Sequence, residues 1–139
     1  MSRELVLAAI RDWFERVWNQ LDEGAIDEMM AEDCEVLGVS AMPVNRERYV
    51  EFYRTVRSAF DEIRMEIADV VVEENAAAGH VRFSGKHRDS GKEVDFVFSF
   101  AARLEEGRFV WVRNVVDYSL LLYQLGDFDL AAIERVFES

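Results

Sequence analysis

A carboxylate lies in an otherwise apolar stretch near the end of the sequence, and it is the first candidate for chemistry. The stretch is VRNVVDYSLLLYQLG, residues 112–126, and the carboxylate is Asp117. A carboxylate among apolar groups is costly to keep as the anion unless a partner compensates its charge. In an apolar pocket the pKa of a carboxyl group rises, which makes the group a better base near neutral pH. The residue is therefore a candidate base for chemistry next to a carbonyl group.

The residues before Asp117 add further candidates. In a strand over 108–122, alternation would place one set of side chains on a common face: Phe109, Trp111, Arg113, Val115 and Asp117. If that face lines a pocket, aromatic walls surround one cation and one carboxylate. Arg113 and Asp117 would lie about 13 Å apart and would contact different parts of one ligand. Arg113, or the hydroxyl group of Tyr53, would then stabilise an enolate.

The alternative for Asp117 is structural: its side chain accepts hydrogen bonds from the backbone or a tyrosine, or pairs with an arginine of the third helix. The alternative for Arg113 is a solvated residue that faces outward. Two histidines are further candidates. His80 lies on a predicted strand, where it either lines a pocket or is a hydrogen-bonded histidine of the sheet. Only two residues separate His87 from Ser90, which predicts that His87 lies near a hairpin tip.

Helices are predicted first along the chain. Apolar residues recur at helical spacing within residues 3–22: Ile10, Trp13, Phe14, Val17, Trp18 and Leu21. Ser2 is positioned to cap this helix and Gly24 to end it. A short helix over 25–31, a strand over 34–40 and a third helix from the Asn45 cap to Phe60 follow. We expect the helices to place at least one of six aromatic residues on a pocket wall: Trp13, Phe14, Trp18, Tyr49, Phe52 and Tyr53.

After Phe60 the apolar period changes from 3.6 to 2, which predicts strands. These extend from Ile63 to Glu74 and over 77–88, 92–104 and 108–122, with turns at RDSG and EEG and a closing helix over 128–137 capped by Asp129. Helices followed by hairpin-connected strands indicate an α+β fold, with the N-terminal helices covering the concave face of a strongly curved antiparallel sheet. Incomplete packing inside such a cone would leave a pocket.

Composition restricts the partners. The sequence has 16 Lys and Arg against 28 Asp and Glu, a net charge of −12, which disfavours nucleic acid and anionic membranes. A single cysteine, Cys34, excludes an intrachain disulfide and fits a cytoplasmic protein. One Cys and two scattered His argue against a metal site, and no glycine-rich phosphate loop is present. We expect one domain over residues 1–139 with no metal and no cofactor.

Several short motifs resemble a known family. They are VVDYSLLLYQLG at 115–126, AFDE at 59–62, GKH at 85–87 and SGKEVDF at 90–96. Together with the order of helices and hairpins, they resemble the NTF2-like superfamily in its SnoaL-like polyketide cyclase branch. The resemblance implies a cone-shaped fold and a homodimer formed sheet to sheet. It also implies an aspartate and a histidine, matched by Asp117 and His87, as acid and base in a cofactor-free aldol ring closure.

Three functions follow from these observations. The first is cofactor-free acid/base chemistry of the cyclase, isomerase or hydratase type on a small hydrophobic carbonyl compound, with Asp117 central. The second is a binding protein of the same fold that holds a small hydrophobic molecule without turnover. The third is a protein-interaction module.

Overall fold

Helices occupy the first part of the chain in the computed structural model, which describes residues 1–138. Helix α1 spans Arg3–Asp12 and continues as a π-helix over Trp13–Asn19. The Ser2 side chain caps α1, as predicted, by accepting a hydrogen bond from the backbone N–H of Leu5 at 3.2 Å. Helix α2 spans Gly24–Met29, so Gly24 begins a helix and does not end the first one.

A five-stranded sheet forms the other layer. Its strands are β1 (Met30–Leu37), β2 (Phe60–Glu73), β3 (Ala76–His87), β4 (Glu93–Glu105) and β5 (Arg108–Val115), in the order β1-β5-β4-β3-β2. Strands β2 to β5 are an antiparallel meander, and β1 joins the edge parallel to β5. The remaining helices are α3 (Arg46–Ala59), α4 (Tyr118–Gln124) and α5 (Ala131–Val136). The α+β prediction is confirmed, with one parallel pair added. The predicted domain extends to Ser139, which lies outside the described residues.

Local chemistry explains where α3 begins and which face it buries. The Asn45 side chain accepts a hydrogen bond from the backbone N–H of Arg48 at 3.0 Å, as a capping residue does. Tyr49 and Tyr53, four residues apart, are buried on one face of the helix. The chain then passes directly from α3 into β2 at Phe60, so the helix is tied to the sheet at the end of the cone.

Strand β4 shows the alternation that builds the core. Val94, Phe96, Phe98 and Phe100 are buried, whereas Glu93, Asp95 and Val97 are exposed. The helices pack on this apolar face, with Phe14 in an edge-to-face contact with Phe100 at 5.5 Å between ring centroids. No helix among residues 1–138 combines the length and the apolar character needed to cross a bilayer.

The final predicted strand is wrong beyond Val115. Strand β5 ends there, and Tyr118–Gln124 is helix α4. Leucine favours helices, and the apolar residues of this segment recur at helical spacing: Tyr118, Leu121, Leu122 and Leu125. Asp117, which is among the best capping residues, begins the helix. The closing helix α5 is shorter than predicted, and the Asp129 side chain accepts a hydrogen bond from the backbone N–H of Ala131 at 3.0 Å.

Gly38 holds the end of β1 against β5 and allows a specific test. Its φ is +92°, and a Cβ added there would lie 1.7 Å from the carbonyl oxygen of Asn114. Neither backbone can move away without breaking the strand pair, so Gly38→Ala should lower the free energy of unfolding by at least about 2 kcal/mol.

The matched control is Gly107→Ala, because Gly107 has a φ of +81° but nothing within 4 Å of an added Cβ. Its free energy of unfolding should fall only by the cost of placing alanine in the left-handed backbone conformation, about 1 kcal/mol. Urea unfolding measures both variants, and equal losses would show that the approach of Gly38 to Asn114 is not tight.

A candidate ligand cavity

The helices do not fill the cone, and a cavity of about 150 Å³ remains between them and the concave face of the sheet. The helical side of its wall comes from α1 with its π-helical continuation and from α3: Ile10, Trp13, Phe14, Trp18, Tyr49, Phe52 and Val56. The sheet side is rich in phenylalanine: Phe83, Phe96, Phe98, Phe100 and Phe109. Aromatic side chains therefore surround the space on both sides.

The π-helical segment explains why so many large side chains point inward. Its residues Trp13, Phe14, Val17 and Trp18 are all buried. A π-helix has i→i+5 hydrogen bonds, which bring residues five apart, such as Trp13 and Trp18, onto adjacent turns. Both tryptophans then reach the cavity, with Trp13 against Tyr49 at 5.7 Å and Trp18 against Tyr53 at 4.9 Å between ring centroids.

The polar atoms at the cavity are few and neutral. Among residues 1–138, no Asp, Glu, Lys, Arg or His side chain lines it, and Asn114 supplies the single amide. Burial raises the pKa of Tyr49, and partial desolvation raises the pKa of Tyr118, which is 48% exposed, so both phenols stay protonated at neutral pH. Burial also raises the pKa of Cys34 to about 12, so this thiol is not a ready nucleophile.

Helix α4 closes one end of the cavity with Tyr118 and Leu121. It docks beside the part of β4 that β5 does not reach, because the β4–β5 pairing ends at Ser99 and Val115. The Gln124 side chain takes the place of a missing strand there: it accepts a hydrogen bond from the backbone N–H of Asp95 at 2.8 Å and donates one to its carbonyl at 2.7 Å. Lys92 donates to the carbonyl of Leu125 at 2.9 Å.

Asp117 lies at the rim of the cavity and does not line it. Its side chain is exposed, and one carboxylate oxygen accepts a hydrogen bond from the backbone N–H of Leu120 at 3.0 Å. The expectation that this carboxylate faces the interior is wrong. The structural alternative is confirmed: the anion is compensated by the N-terminus of α4, where backbone N–H groups and the helix dipole favour negative charge.

The expected orientation of Trp111 and Arg113 is also wrong, and the cause is a β-bulge. Phe109 pairs with Leu104 and Trp111 pairs with Arg103, so Val110 is an extra residue in β5. One extra residue moves every later side chain to the opposite face of the sheet. Phe109 therefore points into the cavity, whereas Trp111 and Arg113 lie on the outer face, where Arg103 and Arg113 stack on the Trp111 ring at 5.1 and 5.9 Å from its centroid.

The other predicted site residues divide between wall, core and surface. Trp13, Phe14 and Tyr49 line the cavity as expected. Tyr53 is core, since it is fully buried and its hydroxyl donates to the carbonyl of Val17 at 2.8 Å. That hydroxyl is not free to stabilise an enolate.

The two histidines lie apart from each other. His80 is exposed on the outer face, where Nδ1 is 2.8 Å from Asp69. His87 ends β3 beside the short hairpin turn, as predicted, and is half-buried. Its Nδ1 is 2.8 Å from the hydroxyl of Ser90, and its ring packs at 5.5 Å from the ring of Phe60, which lines the cavity.

Sequence reasoning missed Asn114, which the bulge turns toward the cavity between Val112 and Val116. Asparagine is depleted in strands, so its presence between valines was the available signal. Within the described part of the chain, no three His, Cys, Asp or Glu side chains form a cluster suited to a metal ion.

Several solved structures are similar in fold to this chain. IdmH, a proposed polyketide cyclase from Streptomyces antibioticus, is 20% identical with a TM-score of 0.80, over 87% of this chain and 98% of that chain. TsrD from Streptomyces laurentii is 20% identical with a TM-score of 0.82, over 92% and 99% of the two chains. AclR, a proposed hydroxylase from Streptomyces galilaeus, is 19% identical with a TM-score of 0.83, over 92% and 100%.

The high TM-scores show that these proteins share the fold of this chain. At such low sequence identities they show nothing beyond the fold. No curated protein matches the sequence. The profile of the SnoaL-like domain matches residues 10–112, which is most of the chain and includes α2, α3 and β1 to β4 with parts of the first helix and of β5. The chain belongs to the SnoaL-like domain family.

Proposed function

We propose that this chain binds a compact, neutral and mainly apolar molecule in its cavity. The observation that supports this function is the composition of the wall: aromatic and aliphatic side chains surround the space, and no charged side chain of residues 1–138 lines it. An unpaired charge in such surroundings is costly, whereas apolar surface gains free energy on leaving water. The binding function that the sequence left open is thus the one that the wall favours.

The size of the cavity restricts the ligand further. Its volume is about 150 Å³, and an apolar cavity of roughly that size stays free of water and accepts molecules such as benzene or xenon. A ligand with one ring is therefore the natural occupant of this conformation.

Acid/base chemistry at the rim is the second candidate, because both predicted catalytic residues adjoin the wall. Asp117 lies between Val116 and Tyr118, which line the cavity, and the His87 ring packs on Phe60, which also lines it. Both side chains would have to reorient toward a bound ligand to act on it. The family does not decide the matter, since neighbours of the same fold are named as a proposed cyclase and a proposed hydroxylase.

A homodimer formed through the outer face of the sheet is a further proposal. Val97 and Val115 are exposed there, at 49% and 60% of their surface. Ser99 pairs with Val115 and Ala101 with Arg113, so small side chains connect the two valines in one strip. Such a strip suits close contact with a copy of itself, because a two-fold interface uses the same patch on both subunits.

Binding is tested with two substitutions on β4: one enlarges a side chain that lines the cavity, and the other enlarges its neighbour on the outer face as the control. Ala102→Leu adds volume to the wall, whereas Ala101→Leu adds it to the outer face of the same strand. Ethylbenzene is the probe, and calorimetry gives its Kd. Ala102→Leu should weaken binding at least about tenfold because the added carbon atoms overpack the occupied cavity, and Ala101→Leu should leave the Kd unchanged. If the wild-type chain takes up no probe, or if both variants bind alike, the cavity is not the binding site.

The two roles of Asp117 are separated by two substitutions. Asp117→Ala removes the cap of α4 and should cost about 1 kcal/mol of stability, whereas Asp117→Asn keeps the cap and should cost a few tenths at most. Thermal unfolding measures both. With a ligand in hand, loss of its turnover in the stable Asp117→Asn variant would establish catalysis at the rim. Unchanged ligand after long incubation with the wild-type chain would leave binding as the function.

The proposed dimer is tested by introducing a charged side chain at its interface and measuring the molecular mass in solution. Light scattering after gel filtration should give twice the chain mass of 16.1 kDa for the wild type. Val97→Lys should give the monomer mass, because it buries an unpaired charge in the interface. Val71→Lys is the control, since Val71 is 70% exposed on the edge strand β2, away from the strip. A wild-type monomer at all concentrations would exclude the dimer.

A further inference from the structure

Asn114 supplies the one side-chain amide on the cavity wall within residues 1–138. It lies on β5 between Val112 and Val116, and all three line the cavity, whereas Arg113 and Val115 are exposed on the outer face. Its backbone is fixed on both sides: it pairs with Phe100 of β4, and the end of β1 approaches it at Gly38. The amide is therefore held at a defined place in an apolar wall.

The side-chain amide of Asn114 is available to a ligand. It is half-buried and takes no part in the hydrogen bonds that fix the neighbouring rim within residues 1–138, where Asp117 bonds to Leu120 and Gln124 bonds to Asp95. Because the side chain is half-buried, its amide is hydrated from the solvent side before a ligand binds. A ligand that displaces this water must replace its hydrogen bonds or lose affinity.

Each polar side chain of the wall can donate a hydrogen bond, and the amide and the phenols also carry acceptor oxygens. The amide NH₂ group of Asn114 offers two N–H bonds, and the phenols of Tyr49 and Tyr118 remain protonated because desolvation raises the pKa of each. An acceptor on the ligand matches this set. A carboxylate or phosphate acceptor is excluded by the cost of an unpaired charge, since Arg113, the nearest cation along the strand, lies on the opposite face of the sheet.

We propose that Asn114 is a specificity-determining residue that selects compact, one-ring ligands bearing a neutral carbonyl group. Its amide N–H donates to the carbonyl oxygen, while the phenylalanine side of the wall holds the ring. The inference rests on the proposed binding function and adds the class of ligand. A ring of the same size without the carbonyl group leaves the amide unpaired, which is expected to cost about tenfold in affinity.

The test compares three probes that share one ring: ethylbenzene, acetophenone and benzoate. The measured quantity is the ratio of the Kd of ethylbenzene to that of acetophenone, determined by calorimetry for the wild type and for Asn114→Leu. The different hydration of the two free ligands cancels when the ratios are compared between the proteins. Asn114→Leu keeps the approximate size of the side chain and removes the amide, so the ratio should fall about tenfold.

Three further measurements serve as controls for this ratio of Kd values. Val71→Leu changes an exposed residue of β2, outside both the cavity and the proposed dimer interface, and should leave the ratio at its wild-type value. Asn114→Ala removes the amide with a smaller side chain, and it should reproduce the fall in the ratio if Asn114→Leu does not fold. Benzoate should bind the wild type at least about a hundredfold more weakly than acetophenone.

The outcomes separate this inference from the function on which it rests. If ethylbenzene and acetophenone both bind and the ratio is the same in the wild type and the Asn114 variants, Asn114 is not a selector, while the binding function stands. Benzoate binding as tight as that of acetophenone would also overturn the inference. If none of the three probes binds, the proposed binding function fails and the inference fails with it.

Discussion

The phenylalanine-rich concave face of the sheet must be removed from water, and the rest of the structure depends on how the helices cover it. Phe98 and Phe100 face inward from β4, and Phe14 packs against both. The helices do not fill the whole concave side, and Phe14 and the phenylalanines of the sheet border the space that is left. The remaining space is a cavity whose wall is apolar for the same reason that the core is apolar.

The position of the acidic residue follows from that constraint. An anion facing this cavity would lack a partner, and Asp117 instead accepts a hydrogen bond from the backbone of α4 at the rim. The helix that it caps completes the wall with Tyr118 and Leu121. The carboxylate thus contributes to the cavity by starting the helix that closes it.

Elements with a regular local pattern could be predicted from the sequence. The caps at Ser2 and Asn45 and the alternation in β4 depend on neighbours within a few residues, and each is found in the structure. The wall residues of the helices could be predicted for the same reason, since helical spacing determines which face Trp13 and Tyr49 occupy. The parallel pairing of β1 with β5 depends on contacts distant in sequence, and no local pattern indicated it.

The orientation of β5 could not be predicted because both of its faces are apolar. Val110 and Val112 would suit the interior as well as Phe109 and Trp111 do, so alternation gives no sign of the extra residue in the strand. The bulge at Val110 reverses the two faces, and with them the choice between Arg113 and Asn114 as the polar group of the cavity. A single inserted residue therefore changes the predicted site from a charged one to a neutral one.

The hollow apolar interior is tested most directly by the electron density of a crystal pressurised with xenon. Xenon enters apolar cavities that are free of water and has no polar group that could direct it elsewhere. A strong peak enclosed by Trp13, Phe98 and Phe109 is expected. Ordered water bound in that space, side chains that fill it, or xenon found only on the surface would contradict the claim that this protein keeps a hollow apolar interior.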